Sequence, residues 1–166
     1  MKLLLHVCCA PCTAGCLEQL KEYEITMFFS DSNIYPEEEY ERRKYEAKKL
    51  AEIYGIEFIE DTYDHDEWRE FVKGLEKEPE GGKRCFKCFE FNLRRAAEMA
   101  KNYDFFTTTL TLSPHKSNLK IFEVGKNFEK FLEKDFKTGW AKSVELSIEH
   151  NLYRQNYCGC EFSLRN

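Results

Sequence analysis

Nowhere do the 166 residues run apolar for the ~18 positions that a membrane-spanning helix requires. The opening Met-Lys-Leu-Leu-Leu-His-Val starts like a secretory leader, but His6 interrupts it, cysteines follow at once and no cleavage pattern is present. The expected location is the cytoplasm. Internal repeats and low-complexity segments are also missing. Net positive charge is lacking too: the formal charge is −5, which argues against a non-specific nucleic-acid coat but leaves room for a local binding face. Disorder is excluded by 42% hydrophobic and 15% aromatic residues, enough for a packed interior. The length suits one domain over residues 1–166 and is too short for two.

Cysteine is abundant. Seven of the eight fall in three tight groups, Cys8-Cys9-Ala-Pro-Cys12, Cys85-Phe-Lys-Cys88 and Cys158-Gly-Cys160, while Cys16 stands apart. Cys16 lies four residues after Cys12, on the same face of a helix, and is read as a buried thiol rather than a ligand. Structural disulfides do not fit a reducing compartment. A structural zinc site needs four thiolates, and a [4Fe–4S] cluster needs four, or three with one iron left open. Seven clustered cysteines exceed either requirement, and the surplus suggests catalysis with a second metal or a redox couple.

Strand and helix signals alternate along the chain. Lys2 to Val7 forms a first apolar run ending in a proline-marked turn, which places the first cysteine group at the carboxyl end of a buried strand, where ligands bind in open α/β sheets. Further strands are predicted over Glu24 to Phe29, Ile56 to Ile59 and Phe105 to Leu112, the last from its β-branched and aromatic content. Helices are predicted over Thr13 to Lys21, from Pro36 in its first turn to Gly55, over Asp64 to Lys77, Phe86 to Lys101, Asn118 to Lys134 and Ser143 to Tyr153. Pro79-Glu-Gly-Gly82 is the clearest break, and it delivers Cys85 and Cys88 at a helix entrance. The alternation implies a parallel sheet with helices on both faces, a three-layer α/β fold.

Charge is unevenly spread. Residues 1–82 hold ten basic and twenty acidic side chains, whereas Lys83 to Lys126 holds nine basic and four acidic ones. The second stretch is either a solvated helix surface or a patch that attracts phosphates, with Arg94, Arg95 and Lys116 as the candidate contacts.

Together, His6-Val-Cys-Cys-Ala-Pro-Cys12, the Asn33-Ile-Tyr-Pro36 turn with Tyr40 and Arg43, the Cys85/Cys88 pair, Thr107-Thr-Thr-Leu with Ser113-Pro114, and Tyr153-Arg-Gln-Asn-Tyr-Cys-Gly-Cys160 resemble epoxyqueuosine reductases of the QueH type. The resemblance spans nearly the whole chain in the expected order. It implies a nucleotide α-hydrolase-like fold with a sheet of about five parallel strands. The implied activity is cobalamin-independent removal of the epoxide oxygen from epoxyqueuosine at the tRNA wobble position, with electrons from an external donor. The Ser-Gly-Gly-x-Asp-Ser loop of ATP-using relatives is absent; cysteines stand in its place, which argues against ATP use.

Reduction of an epoxide to an alkene and water takes two electrons and two protons, so a cluster paired with an open metal position divides the work. Cys9, Cys12, Cys85 and Cys88 are assigned to a [4Fe–4S] cluster, and Cys8, Cys158 and Cys160 to a second, mononuclear iron or its surroundings; adjacent Cys8 and Cys9 point oppositely in an extended segment, the one physical ground for separating them. Asp31 and Asn33 after the second strand are either turn residues or substrate and metal contacts. His6 is read as a core histidine. Tyr153 and Tyr157 either pack or serve as proton donors and stacking platforms. Ser113, His115 and Lys116 are a helix cap or a phosphate site. Two competing readings remain: a zinc-stabilised RNA-binding module without catalysis, and a thiol oxidoreductase using only Cys85 and Cys88.

Overall fold

A computed structural model describes residues 1–164. The apolar run Leu3-Leu-Leu5 with Val7 becomes the central strand β1 (Lys2–Val7), buried on both sides. A strand without a polar face must be covered twice. β2 (Glu24–Phe29) pairs with it on one side, β3 (Glu57–Glu60) lies beyond β2, and β4 (Phe105–Thr108) pairs on the opposite side, all parallel, in the order β3-β2-β1-β4. The register sets Leu5 opposite both Met27 and Thr107.

Six α-helices occur among the described residues: α1 (Ala10–Leu17), α2 (Glu37–Tyr54), α3 (His65–Phe71), α4 (Lys83–Met99), α5 (Asn118–Gly125) and α6 (Trp140–Glu149). Strand alternation divides the core between them. Leu3, Leu5 and Val7, with Met27 and Phe29, pack under α1, α2 and α6, while Leu4, Phe28 and Phe106 pack under α4 and α5. Each such side chain contributes roughly 1.5–3 kcal/mol by leaving water. Trp68 of α3 nucleates a third, smaller cluster with Val72, Phe91 and Cys160.

The sheet has four strands, not the expected five. A fifth position exists in rudiment: Phe131 forms a lone parallel bridge with Phe106, whose N–H donates to the Lys130 carbonyl while its own carbonyl accepts from the Leu132 N–H. The helix expected to run to Lys134 ends at Gly125 because the Phe131 ring returns there; a Cβ on Gly125 would lie 2.1 Å from that ring. β4 likewise stops at Thr108, whose Oγ1 accepts the Leu110 N–H and starts a 3₁₀ turn over Thr109–Leu112. α1 begins at Ala10 rather than Thr13 and α4 at Lys83 rather than Phe86, so Cys12, Cys85 and Cys88 are all helical. Pro36 caps α2 instead of entering its first turn, and Gly55 ends it in a left-handed conformation as expected. No helix among the described residues is long and apolar enough to cross a membrane.

Candidate active site

β1 runs directly into the turn before α1, with Pro11 in the first helical turn, where a missing N–H costs nothing. That turn brings the sulfurs of Cys8, Cys9 and Cys12 within 4.8 Å of one another, the one group of three potential metal ligands this close among the described residues. The point lies at the carboxyl ends of β1 and β4, where the strand order reverses. Thr109 ties the two strand ends together: its hydroxyl donates to the Cys8 sulfur at 3.2 Å and accepts the Cys8 N–H at 3.0 Å. Cys12 and Cys8 both donate to the Cys9 sulfur and hold its pKa well below the thiol range. Cys8 is correspondingly held up by Cys12 and Cys9.

These three thiols line a cavity of about 430 Å³ that also reaches Asp31, Asn33, Lys116 and Tyr157. A second, tighter cavity of about 60 Å³ adjoins it, lined by Cys85, Cys88, Cys158 and Cys160, and Cys88 and Cys158 belong to both. Cys85 and Cys88 reach it from adjacent turns of α4. Burial pushes both of these thiols upward, Cys88 strongly, so their thiolates need a positive partner. The tail that carries Cys158 and Cys160 is seated by the buried Arg43, which donates to the Cys158 carbonyl at 2.6 Å and the Tyr157 carbonyl at 3.1 Å.

Cys8, Cys9 and Cys12 thus line the larger cavity alone, Cys85 and Cys160 the smaller alone, and Cys88 and Cys158 both. Cys9 caps α1 and Cys12 lies in its first turn, so their sulfurs stay beside Cys8. Cys16 is fully buried in the core beneath.

The donor set fits thiolate-bound metal. Seven reduced cysteines converge, and buried polar atoms without hydrogen-bond partners gather around them: Asp31 Oδ2, Asn92 Oδ1 and Gln155 Oε1 line the larger cavity, Trp68 Nε1 and Arg84 Nε the smaller. Each unpaired atom costs ~1–3 kcal/mol, a penalty a ligand in the cavity removes. Lys116 lines both cavities. Burial works against its ammonium, yet the sulfurs of Cys158, Cys8, Cys12 and Cys9 hold its pKa above the ordinary lysine value.

The remaining candidates are placed as follows. Asp31 is buried, and burial raises its carboxyl above the ordinary range despite His6, whose Nε2 lies 3.5 Å away. His6 is fully buried between the Thr108 hydroxyl and the Ser30 carbonyl, both at 2.9 Å. Asn33 accepts from Asn92 at 3.2 Å and lines both cavities. The Tyr157 hydroxyl donates to the Tyr35 carbonyl at 2.8 Å, and that of Tyr153 to Glu39 at 2.7 Å. Ser113 and His115 line the larger cavity.

Arg94 and Arg95 line neither cavity. The Arg94 guanidinium lies 5.0 Å over the Phe71 ring, and Arg95 grips Asp61 with two bonds of 2.6 and 2.8 Å, so a phosphate would have to compete with that pair. Arg84, counted in the basic stretch, is buried, with its guanidinium on the carbonyls of Leu75, Glu76 and Glu78. Trp68, Arg84, Asn92 and Gln155 were not marked as site residues by the sequence. Two of them carried a usable signal: Asn92 lies four residues after Cys88 and hence on the same helix face, and Gln155 lies within the Tyr153-to-Cys160 run.

A family model described as epoxyqueuosine reductase QueH matches residues 3–166. Proteins named epoxyqueuosine reductase QueH from Streptococcus pyogenes serotype M1 and Thermotoga maritima are 40% and 38% identical, each over 98% of this chain and over 70% and 90% of their own lengths. The crystal structure of a predicted subunit of a tRNA methyltransferase from Methanocaldococcus jannaschii superposes with a TM-score of 0.52 over 89% of this chain and 76% of that one, at 16% identity, and is similar in fold alone.

Proposed function

The chain belongs to the epoxyqueuosine reductase QueH family, oxidoreductases of tRNA modification, and from that premise we propose that it reduces epoxyqueuosine in tRNA to queuosine without cobalamin. The observation that carries the proposal is the convergence of seven thiols from three distant segments on two adjoining cavities. Cys8, Cys9, Cys12, Cys85, Cys88, Cys158 and Cys160 would hold a [4Fe–4S] cluster and a second iron between them, since a cluster takes only three or four thiolates. Bound there, these cofactors supply single electrons and a Lewis-acid position for the epoxide oxygen.

The chain's own residues do the rest. The larger cavity suits a nucleoside side group and excludes the tRNA body, so the wobble nucleoside must be turned outward to enter it. Asp31 and Asn33 offer hydrogen bonds to the hydroxyls beside the epoxide. Lys116 places a positive charge where oxygen gains negative charge as the C–O bond breaks. The Tyr157 ring, with Arg43 4.8 Å above it, forms a wall of the cavity. Two electrons from an external donor and two protons turn the epoxide into an alkene and water. The cytoplasm, which keeps thiols reduced, is the fitting compartment.

Anaerobically purified protein should contain iron and acid-labile sulfide and, given a strong reductant, convert epoxyqueuosine to queuosine in tRNA as followed by nucleoside mass spectrometry. Zinc without sulfide, and no conversion, would instead establish a zinc-stabilised RNA-binding module.

A further inference from the structure

Trp68 is fully buried, and its indole nitrogen, which can only donate, has no hydrogen-bond partner. Its ring is fixed by neighbours on both sides: His65 stacks at 5.3 Å and Phe162 at 6.4 Å. His65 is itself held by the Ser32 carbonyl at 2.8 Å and by Glu161 at 2.9 Å. The indole therefore cannot readily turn to find an acceptor elsewhere. Arg84 presents the same situation from α4. Its Nη1 is fixed on three carbonyls, at 2.6 Å for the shortest, and Phe162 lies 5.0 Å beneath the guanidinium, yet its Nε–H is buried and unpaired.

Both residues line the small cavity of Cys85, Cys88, Cys158 and Cys160. Other donors in this region already point at sulfur: the Gly81 N–H reaches Cys85 at 3.2 Å and the Asn92 amide reaches Cys88 at 3.9 Å. A pocket with four thiols and fixed, unsatisfied N–H groups is complementary to sulfur that carries charge, not to neutral thiols.

We propose that Trp68 and Arg84 are positioning residues whose Nε–H groups donate to metal-bound thiolate sulfur in this cavity and make its metal centre easier to reduce. The inference rests on the reading that these cysteines bind metal as thiolates, whichever metal that is. Hydrogen bonds to ligand sulfur stabilise the more negative, reduced state and so raise the potential of iron–sulfur sites.

The test compares nitrogen-15 spectra of anaerobic metal-free protein and the same protein loaded with Zn²⁺. The chain has two tryptophans, and Trp68→Phe identifies the Trp68 signal by its loss. On loading, the indole proton of Trp68 and the Nε proton of Arg84 should both move downfield and exchange more slowly. A zinc-loaded protein in which neither signal moves overturns the proposal. If Cys85→Ala holds as much zinc as the parent, the metal-binding reading itself fails at this cavity, an outcome distinct from the first. In iron-loaded protein, Trp68→Phe should make reduction about tenfold less favourable, about 59 mV for a one-electron couple, with the metal content preserved. An unchanged potential would leave the indole with no role at the metal. Since the zinc spectra need no Arg84 variant, that residue is tested even if its replacement unfolds the loop it holds.

Discussion

Gly15 of α1 and Gly139, just before α6, meet backbone to backbone: a Cβ on Gly15 would lie 2.7 Å from the Gly139 carbonyl oxygen, and one on Gly139 2.8 Å from the Gly15 carbonyl oxygen. Backbone cannot yield as a flexible side chain can, so the two segments must part. Gly15→Ala is expected to cost about 1–3 kcal/mol, read as a lower urea midpoint at an unchanged m-value. A midpoint equal to that of the parent would mean that α6 shifts freely.

Arg95 and Asp61 give a pH signature. Burial acts to raise the Asp61 carboxyl, but Arg95 and the Ser30 hydroxyl outweigh it and leave the pKa below the ordinary carboxylate value. A depressed folded pKa contributes stability that is present above the unfolded value, ~3.9, and is lost as pH falls through the folded one. Arg95→Leu should destabilise the protein by about 1–3 kcal/mol at pH 7, and the gap should narrow below pH ~4. Equal gaps at both pH values would dissociate the effect from the ion pair.

Cys16 and Cys85 separate core from ligand. Cys16→Ala removes a buried sulfur and should cost about 1–2 kcal/mol while leaving bound metal per protein unchanged. Cys85→Ala should lower the metal content at little cost to folding, since that side chain is only half-buried. Metal analysis beside urea unfolding tells the two apart. Parallel metal loss in both variants would make Cys16 a ligand.

Arg43 holds the tail. Arg43→Met gives up the bonds to the Tyr157 and Cys158 carbonyls and the 3.1 Å contact with Glu39, and should destabilise the protein by roughly 2–4 kcal/mol. Limited proteolysis should then cut first within residues 150–164. Cleavage elsewhere would show that the tail has other anchors.

Arg94 and Lys116 should behave differently towards tRNA. Arg94→Gln is expected to weaken tRNA binding and lower the salt slope by about one phosphate contact, with the metal content intact. Lys116→Met should reduce metal retention as well, because its ammonium stands among the sulfurs of Cys158, Cys8 and Cys12. Binding titrations at several salt concentrations, run beside metal analysis, distinguish the two. If both variants bind as the parent does, the RNA docks on another face.

What the sequence disclosed followed the reach of the interactions involved. Leu3 to Leu5 and Met27 to Phe29 are strands for reasons contained in their own apolar runs, and both were legible. The three cysteine groups were legible because their spacing is local. Their partition was not, since it depends on where the segments around residues 8, 85 and 158 meet in space. Thr109 to Leu112 looked like strand because β-branched residues favour one, but the Thr108 hydroxyl captured the Leu110 N–H and bent the chain. Arg84 looked like part of a basic surface because its charge was visible and the carbonyls of Leu75, Glu76 and Glu78 that bury it were not. Lys116 read only as a phosphate contact for a similar reason: the thiols facing it come from both ends of the chain.

The lone bridge at Phe131 has a consequence for association. An outer strand with open N–H and C=O groups is a template for pairing with another molecule. On the β4 side, the segment around Phe131 occupies that template at Phe106 and then departs, while the Lys130 ammonium takes up the carbonyls of Lys101 at 2.7 Å and Tyr103 at 2.9 Å. On the far side, β3 is four residues long and carries Glu57 and Glu60 at its ends. Both margins of the sheet are therefore poor templates for strand addition, and a second copy of the chain would have to dock on helices rather than extend the sheet.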